Sequence, residues 1–197
     1  MLHAADAAVH FGIEVGRRPV VIRLPAPCLV VLVGAAGSGK STLAARLFTE
    51  DSILSSDAHR GLVSGDATDQ GATRTAFAIL HRRLARRLGD GQTTVIDATN
   101  VTPNARRSLV RRATDHDIPA VAIVLALEPR LVLARNATRT AGVVPEAAVE
   151  RHLADLERSL RRGSLEHDGF DAVHVLRSPQ AVDGLAIEWV RPLSPPR

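Results

Sequence analysis

The chain has 197 residues, 45% of them hydrophobic and 23% charged, with a formal net charge of +4. Disorder needs low hydrophobicity and high net charge, so this composition excludes it and fits one domain with a full-sized core. The single cysteine, Cys28, excludes an internal disulfide and a cysteine zinc cage, and apolar runs such as Ala120–Leu127 are too short to span a bilayer.

No secretory signal pattern is present at the start, and the reading is a cytoplasmic protein without a membrane partner. Positive charge favours anionic ligands without choosing among them. Every basic residue except Lys40 is arginine. A lysine kept in such a background points to a task that a planar guanidinium cannot perform, such as fitting a compact ammonium between phosphate oxygens.

In chain order, Val20–Leu24 reads as a short strand among prolines 19, 25 and 27. Leu29–Val33 is an unbroken apolar run, the pattern of a central parallel strand buried on both faces. A glycine-rich turn leads into a helix over Lys40–Leu47, with Leu43 and Leu47 on one face. Ile53–Leu54 is a brief strand that ends at Ser55-Ser56-Asp57, and a polar stretch with Gly61, Gly65 and Gly71 reads as a loop. Ala72–Leu88 is helical, with Phe77, Leu80, Leu84 and Leu88 at helical spacing, and Gly89-Asp90-Gly91 stops it.

Thr93–Ile96 is the next strand and ends at Asp97-Ala98-Thr99-Asn100. Thr102 and Pro103 open a helix, as N-cap and first residue, that runs to about Asp115. Pro119–Leu127 is a strand, Pro129–Thr140 an arginine-rich helix, and Gly142–Val144 a break. Pro145–Leu160 is a helix with proline at its first position, and Ala172–Leu176 is the last strand. Strands alternating with helices predict an α/β fold, a parallel sheet with helices on both faces. The expected organisation is an N-terminal extension (1–24), one domain (25–191, lid about 129–145) and a Pro-rich tail (192–197).

Gly34-Ala35-Ala36-Gly37-Ser38-Gly39-Lys40-Ser41, followed by Thr42, fits the pattern G-x-x-x-x-G-K-[ST]. Its glycines let successive N–H groups turn inward on an anion, and the following helix adds its positive end. Lys40 is expected to reach the β- and γ-phosphates of ATP and the Ser41 hydroxyl to hold Mg²⁺. A buried strand before the loop and a helix after it are the context the mechanism needs, and together they point to an ATP-dependent phosphotransferase.

Transfer to an alcohol needs a carboxylate to accept or orient its proton, placed at the carboxyl end of a strand beside the loop. Asp57 and Asp97 both qualify, and either could hold Mg²⁺ through water. Arg135 and Arg139, four apart on one helix face before the glycine break, are candidates to stabilise the γ-phosphoryl charge from a lid. Arg130 is expected to point elsewhere.

Three stretches carry a resemblance. They are Ser55-Ser56-Asp57-Ala58-His59-Arg60-Gly61-Leu62-Val63-Ser64 with Asp66 and Asp69-Gln70, then Val95-Ile96-Asp97-Ala98-Thr99-Asn100, then Arg135-Asn136-Ala137-Thr138-Arg139-Thr140. Together with the phosphate loop they resemble the kinase domain of bacterial polynucleotide 5′-hydroxyl kinases, the module that heals RNA ends, over about Pro25 to Pro179. The resemblance implies Asp57 as general base for the acceptor's 5′-hydroxyl and Arg60 as anchor of its phosphate backbone. It implies a P-loop kinase-type fold with a helical lid, Arg135 and Arg139 as the clamp on the donor phosphates, ATP and Mg²⁺ as donor and cofactor, and a 5′-hydroxyl RNA or DNA end as acceptor. The family module often sits in a longer chain with phosphatase and ligase domains, for which this sequence has no room. That implies action alone or with separately encoded partners, and a homo-oligomer is compatible with it.

Two rivals stand beside this reading: a kinase of a small metabolite or antibiotic, and an ATP-hydrolysing switch protein without an acceptor. The arginine pairs at 82/86, 83/87, 106/107 and 111/112 read as solvated helix faces. Aromatic residues make up 3% with no tyrosine, so an acceptor strand is expected to be held by phosphate and sugar rather than by stacking. Cys28 reads as a core residue, and His116 and His167 as surface residues.

Overall fold

A computed structural model describes residues 20–56, 70–140 and 142–191, with side chains in the helix that starts at Gln70 described from Ala78 onward. Candidate residues Asp57 and Arg60, with His59, Asp66 and Asp69, lie outside the described residues.

Strand β2 (Leu29–Val33) is buried at all five positions, as an uninterrupted β-branched run requires. It forms the centre of a parallel five-stranded sheet with β3 (Ile53–Ser55), β4 (Thr94–Asp97), β5 (Ala120–Leu125) and β6 (Ala172–Leu176), in the order β3-β4-β2-β5-β6. Leu29 pairs in register with Thr94 on one side and Ala120 on the other. Alternate side chains of one strand point to opposite faces, so β2 feeds two cores. Leu29, Val31 and Val33 pack with α2 (Gln70–Gly89) and α3 (Pro103–Thr114) through Leu80, Leu84, Leu88, Leu109 and Val110. Val30 and Leu32 pack on the other face with Leu43 and Ala44 of α1 (Lys40–Leu47) and Val132 of α4 (Pro129–Ala137).

The chain leaves β2 toward one edge of the sheet and crosses from β4 to β5 toward the other. With right-handed crossovers that reversal sets α1 and α3 on opposite faces. The crevice outside the carboxyl ends of β2, β4 and β5 is where such a sheet binds ligands. Helix α5 (Glu146–Arg161) contributes Val149 to one core and Leu156 to the other, so it passes over that end of the sheet.

Several expectations change. The strand predicted at Val20–Leu24 is β1 (Val21–Pro25), so the boundary drawn at 24/25 cuts through it. It pairs in parallel with β7 (Ala186–Val190), a strand the sequence did not reveal, and its Ile22 and Leu24 are buried in the α1-side core. Helix α6 (Pro179–Asp183) was likewise not predicted. Gly71, read as loop, lies inside α2. Helix α4 stops at Ala137 rather than Thr140, and Pro145 is the N-cap of α5 rather than its first residue. Thr102 caps α3 as expected, its hydroxyl accepting from the Ala105 N–H at 3.4 Å. Cys28 is fully buried, and burial pushes its thiol pKa up to about 12.

A phosphate-loop cleft as candidate active site

The glycine-rich loop connects β2 to α1 and is held from three directions. Below, the Gly34 N–H donates to the Thr99 carbonyl at 2.9 Å. Inside, the Lys40 ammonium donates to the carbonyls of Gly34 and Ala35, both at 2.9 Å. On the flank, Gly37 sits at φ 86° against α4, where any side chain would collide with the Val132 carbonyl oxygen. Glycine is required there for both the backbone angle and the contact. Gly39, at φ 95°, caps α1 and aims the helix's unpaired N–H groups at the same space.

A second loop, 97–102, forms the opposite wall. Asp97 ends β4 and is buried, 6% exposed. Asn100 takes a left-handed backbone angle (φ 47°) and donates from Nδ2 to the Leu32 carbonyl at 2.8 Å, which ties this loop to the strand before the phosphate loop. Arg106 of α3, fully buried, supports the loop from behind. Its Nη1 donates to the carbonyls of Val101 at 2.7 Å and Asn100 at 3.2 Å, and its Nε to Asp168 at 2.6 Å. Asp168, also buried, accepts at 2.9 Å from Arg107. The expectation that the 106/107 pair is simply solvated fails at Arg106. A guanidinium enters the interior only when its donors are matched in this way.

The third wall is α4 and the segment after it. Asn136 clasps Val144 with both ends of its amide, Nδ2 donating to the carbonyl at 2.7 Å and Oδ1 accepting from the N–H at 3.2 Å. That pair closes the loop between α4 and α5. Arg135 stands on the last turn of α4, its Nη1 3.9 Å from where a Cβ on Gly39 would lie. Arg139 lies beyond the end of α4, so the two arginines do not share a helix face as spacing had suggested. Both nevertheless line the cleft, and Arg130 does not.

The cleft has a volume of about 780 Å³, within the range of small-molecule sites. It brings together Gly37, Gly39, Lys40, Ser41 and Thr42 of the phosphate loop, Ser56 just past the end of β3, Asp97 of β4, and Arg135 and Arg139. Ser56 immediately precedes Asp57 in the chain. The Ser41 and Thr42 side chains are exposed toward it, and the loop's inward N–H groups, ammonium and hydroxyl form a donor set suited to a triphosphate and a hard divalent ion.

Sequence reasoning missed a fourth wall. Arg151, His152 and Asp155 of α5 line the same cleft. His152 is half-buried, with Nδ1 lacking a hydrogen-bond partner among the described residues. Burial chiefly, then the charges of Lys40 and Arg151, push its pKa below the ordinary 6.5, while Asp155 pulls it up. The imidazole is therefore neutral near pH 7 and registers the positive field of the cleft. No local motif marks these three. Only their arrival on one side of an amphipathic helix passing over the sheet's end brings them in.

No curated protein matches the chain. Among solved structures it is similar to one described as the Pnkp1/Rnl/Hen1 RNA repair complex (TM-score 0.61, 24% identity), covering 71% of this chain and 47% of that one. It is also similar to a gluconokinase from Sinorhizobium meliloti 1021 (TM-score 0.51, 19% identity, 81% and 87% covered). A sugar kinase from Janibacter sp. HTCC2649 matches as well (TM-score 0.55, 20% identity, 80% and 91% covered). The chain thus spans about half the length of the RNA-repair protein and most of the two sugar kinases, and at these identities the likeness is one of fold. A family model described as AAA domain matches residues 29–162, from β2 through the end of α5. That match, laid over a phosphate loop at the centre of a parallel sheet, makes this chain a member of the AAA-domain family with a P-loop kinase-type fold.

Proposed function

We propose that this protein is an ATP- and Mg²⁺-dependent polynucleotide kinase that transfers the γ-phosphate of ATP to the 5′-hydroxyl of RNA or DNA. The observation that carries the reading is the convergence of the phosphate loop, the acidic end of β4 and both lid arginines on one cleft, with Ser56 at its margin. A nucleotide-dependent switch needs the loop, but it does not need a second set of cations facing it from a lid.

In this reading Lys40 exchanges its carbonyl partners for β- and γ-phosphate oxygens, and the loop N–H groups hold the β-phosphate. Ser41, with Asp97 through water, would hold Mg²⁺, which neutralises charge on the phosphates when bound. Asp57 takes the proton of the acceptor hydroxyl as its oxygen bonds to the γ-phosphorus. The bond to the β–γ bridging oxygen breaks in line, and ADP leaves. Arg135 and Arg139 stabilise the charge spread over the transferring group, and Arg60 anchors the acceptor's phosphate. Catalysis is then mainly positioning and charge neutralisation. Separately encoded phosphatase or ligase enzymes are the natural partners of such a module.

One observation favours a second reading, a kinase of a sugar or related metabolite. The gluconokinase and sugar kinase structures are covered over 87% and 91% of their length. Transfer of γ-labelled phosphate from ATP to 5′-hydroxyl oligonucleotides, run beside gluconate and a panel of sugars and nucleosides, separates the two. Labelled oligonucleotide with wild type and none with Asp57→Ala is expected. Labelled sugar with unlabelled oligonucleotide would establish the metabolite kinase, and free phosphate with no labelled acceptor the switch.

A further inference from the structure

Helix α5 presents a second row of side chains, one turn on from those in the cleft. Arg158, Ser159 and Arg162 line a hollow of about 400 Å³ together with Thr102, Arg107 and Ser164. Thr102 and Asp155 line both the hollow and the phosphate-loop cleft, so the two are continuous. The hollow is therefore a groove that leaves the cleft between the start of α3 and the second half of α5.

Its chemistry is that of a phosphate track. Arg107 is tethered through Nε alone, to buried Asp168, and its side chain is 54% exposed. Arg158 is tethered through Nη1 to Asp155 at 2.7 Å and is 55% exposed. Each guanidinium is thus oriented by one edge and keeps other N–H groups facing outward, which lowers the ordering cost of binding an anion. The Arg162 guanidinium makes no ion pair among the described residues. Among the described residues, Asp155 is the one carboxylate lining the groove, set against three guanidiniums. Among the described residues its lining has no aromatic side chain for bases to stack on.

We infer that this groove binds the backbone phosphates of a single-stranded polynucleotide whose 5′ end occupies the cleft, with Arg107, Arg158 and Arg162 as the contacts. The inference rests on the polynucleotide reading of the cleft and adds what that reading lacks, a reason for the enzyme to prefer long acceptors. Binding is then electrostatic, indifferent to base sequence and dependent on strand length.

The test uses fluorescent 5′-hydroxyl strands of two and twelve nucleotides. Anisotropy reports binding, and transfer from γ-labelled ATP is followed separately. Wild type should bind the 12-mer at least tenfold more tightly than the dinucleotide. Arg158→Gln/Arg162→Gln should lose most of that gain and lower the salt slope for the 12-mer by about 1.4, at ~0.7 per phosphate contact on single strands. Arg161→Gln removes one positive charge from the same helix, half the change of the double variant, but Arg161 is outside the groove, paired at 3.7 Å with Glu157. It should leave the gain intact. All three arginines are exposed, so folding does not confound the comparison. A double variant with the wild-type length gain, or an Arg161→Gln variant that loses as much, would overturn the groove, as would wild type that binds neither strand. Length-dependent binding lost in the double variant without any phosphate transfer would support the groove and remove the kinase reading.

Discussion

Lys40 and Arg106 are both buried cations on the two sides of the same crevice, and of the two only Lys40 lines the cleft. Lys40 donates to two neutral carbonyls of its own loop and faces the cleft. Arg106 is locked by a buried carboxylate, two carbonyls and Ser159, from elements far apart in the chain. A cation on the wall of the cleft can exchange its resting partners for a phosphate. A full carboxylate match leaves nothing to exchange. The first arrangement suits chemistry, and the second suits holding the 97–102 loop against the strand that carries the phosphate loop.

The sharpest way to break this contrast is to delete each cation. Arg106→Met leaves Asp168 buried with only Arg107 and frees two carbonyls, so it should cost about 3–5 kcal/mol of stability, read from the urea midpoint. Lys40→Met should cost much less stability and instead lower phosphate transfer by about 10²–10³-fold, the scale of losing one donor to developing charge. Equal stability losses in the two variants would erase the distinction. Next in size, Asn136→Ala removes both hydrogen bonds to Val144 and should destabilise by about 1–3 kcal/mol. If the segment between α4 and α5 helps hold nucleotide, KM for ATP should rise as that segment loosens, and an unchanged KM would separate it from nucleotide binding.

The smallest effect is a titration. His152 has a pKa held below its ordinary 6.5 by burial and by Lys40. The unfolded chain therefore binds more protons there than the folded one, and stability falls as pH drops below about 6.5. His152→Gln removes that penalty, so its melting temperature should fall less than wild type's between roughly pH 7 and 5.5. Lys40→Met should act the same way more weakly, by letting the His152 pKa rise. Parallel melting curves for all three proteins would place His152 outside the field of Lys40.

The two cations also differ in how they could be read. Gly34–Ser41 is a contiguous pattern that carries its own signature even though Thr99 and α4 also hold the loop, so the loop, β2 and α1 were legible from residues alone. Arg106 depends on Asp168 and Ser159, 62 and 53 positions away, and its neighbour Arg107 is exposed. Nothing local separates the buried arginine from the solvated one. Strand β7 escaped for another reason. It packs at the margin, with Trp189 46% exposed against Phe48, and shows no clean alternation. Arg151, His152 and Asp155 became part of the cleft only through the path of α5 over the sheet, which periodicity does not specify. Spacing pointed to Arg135 and Arg139, and both line the cleft although the helix between them ends early.

Lys40 carries the only side-chain amine in this sequence, and it sits 8% exposed beneath the loop. Among the side chains of this sequence, amine-directed acylation therefore has that ammonium as its one internal address. Shielding of the internal one by a bound nucleotide would report occupancy of the site by mass alone, with no engineered probe.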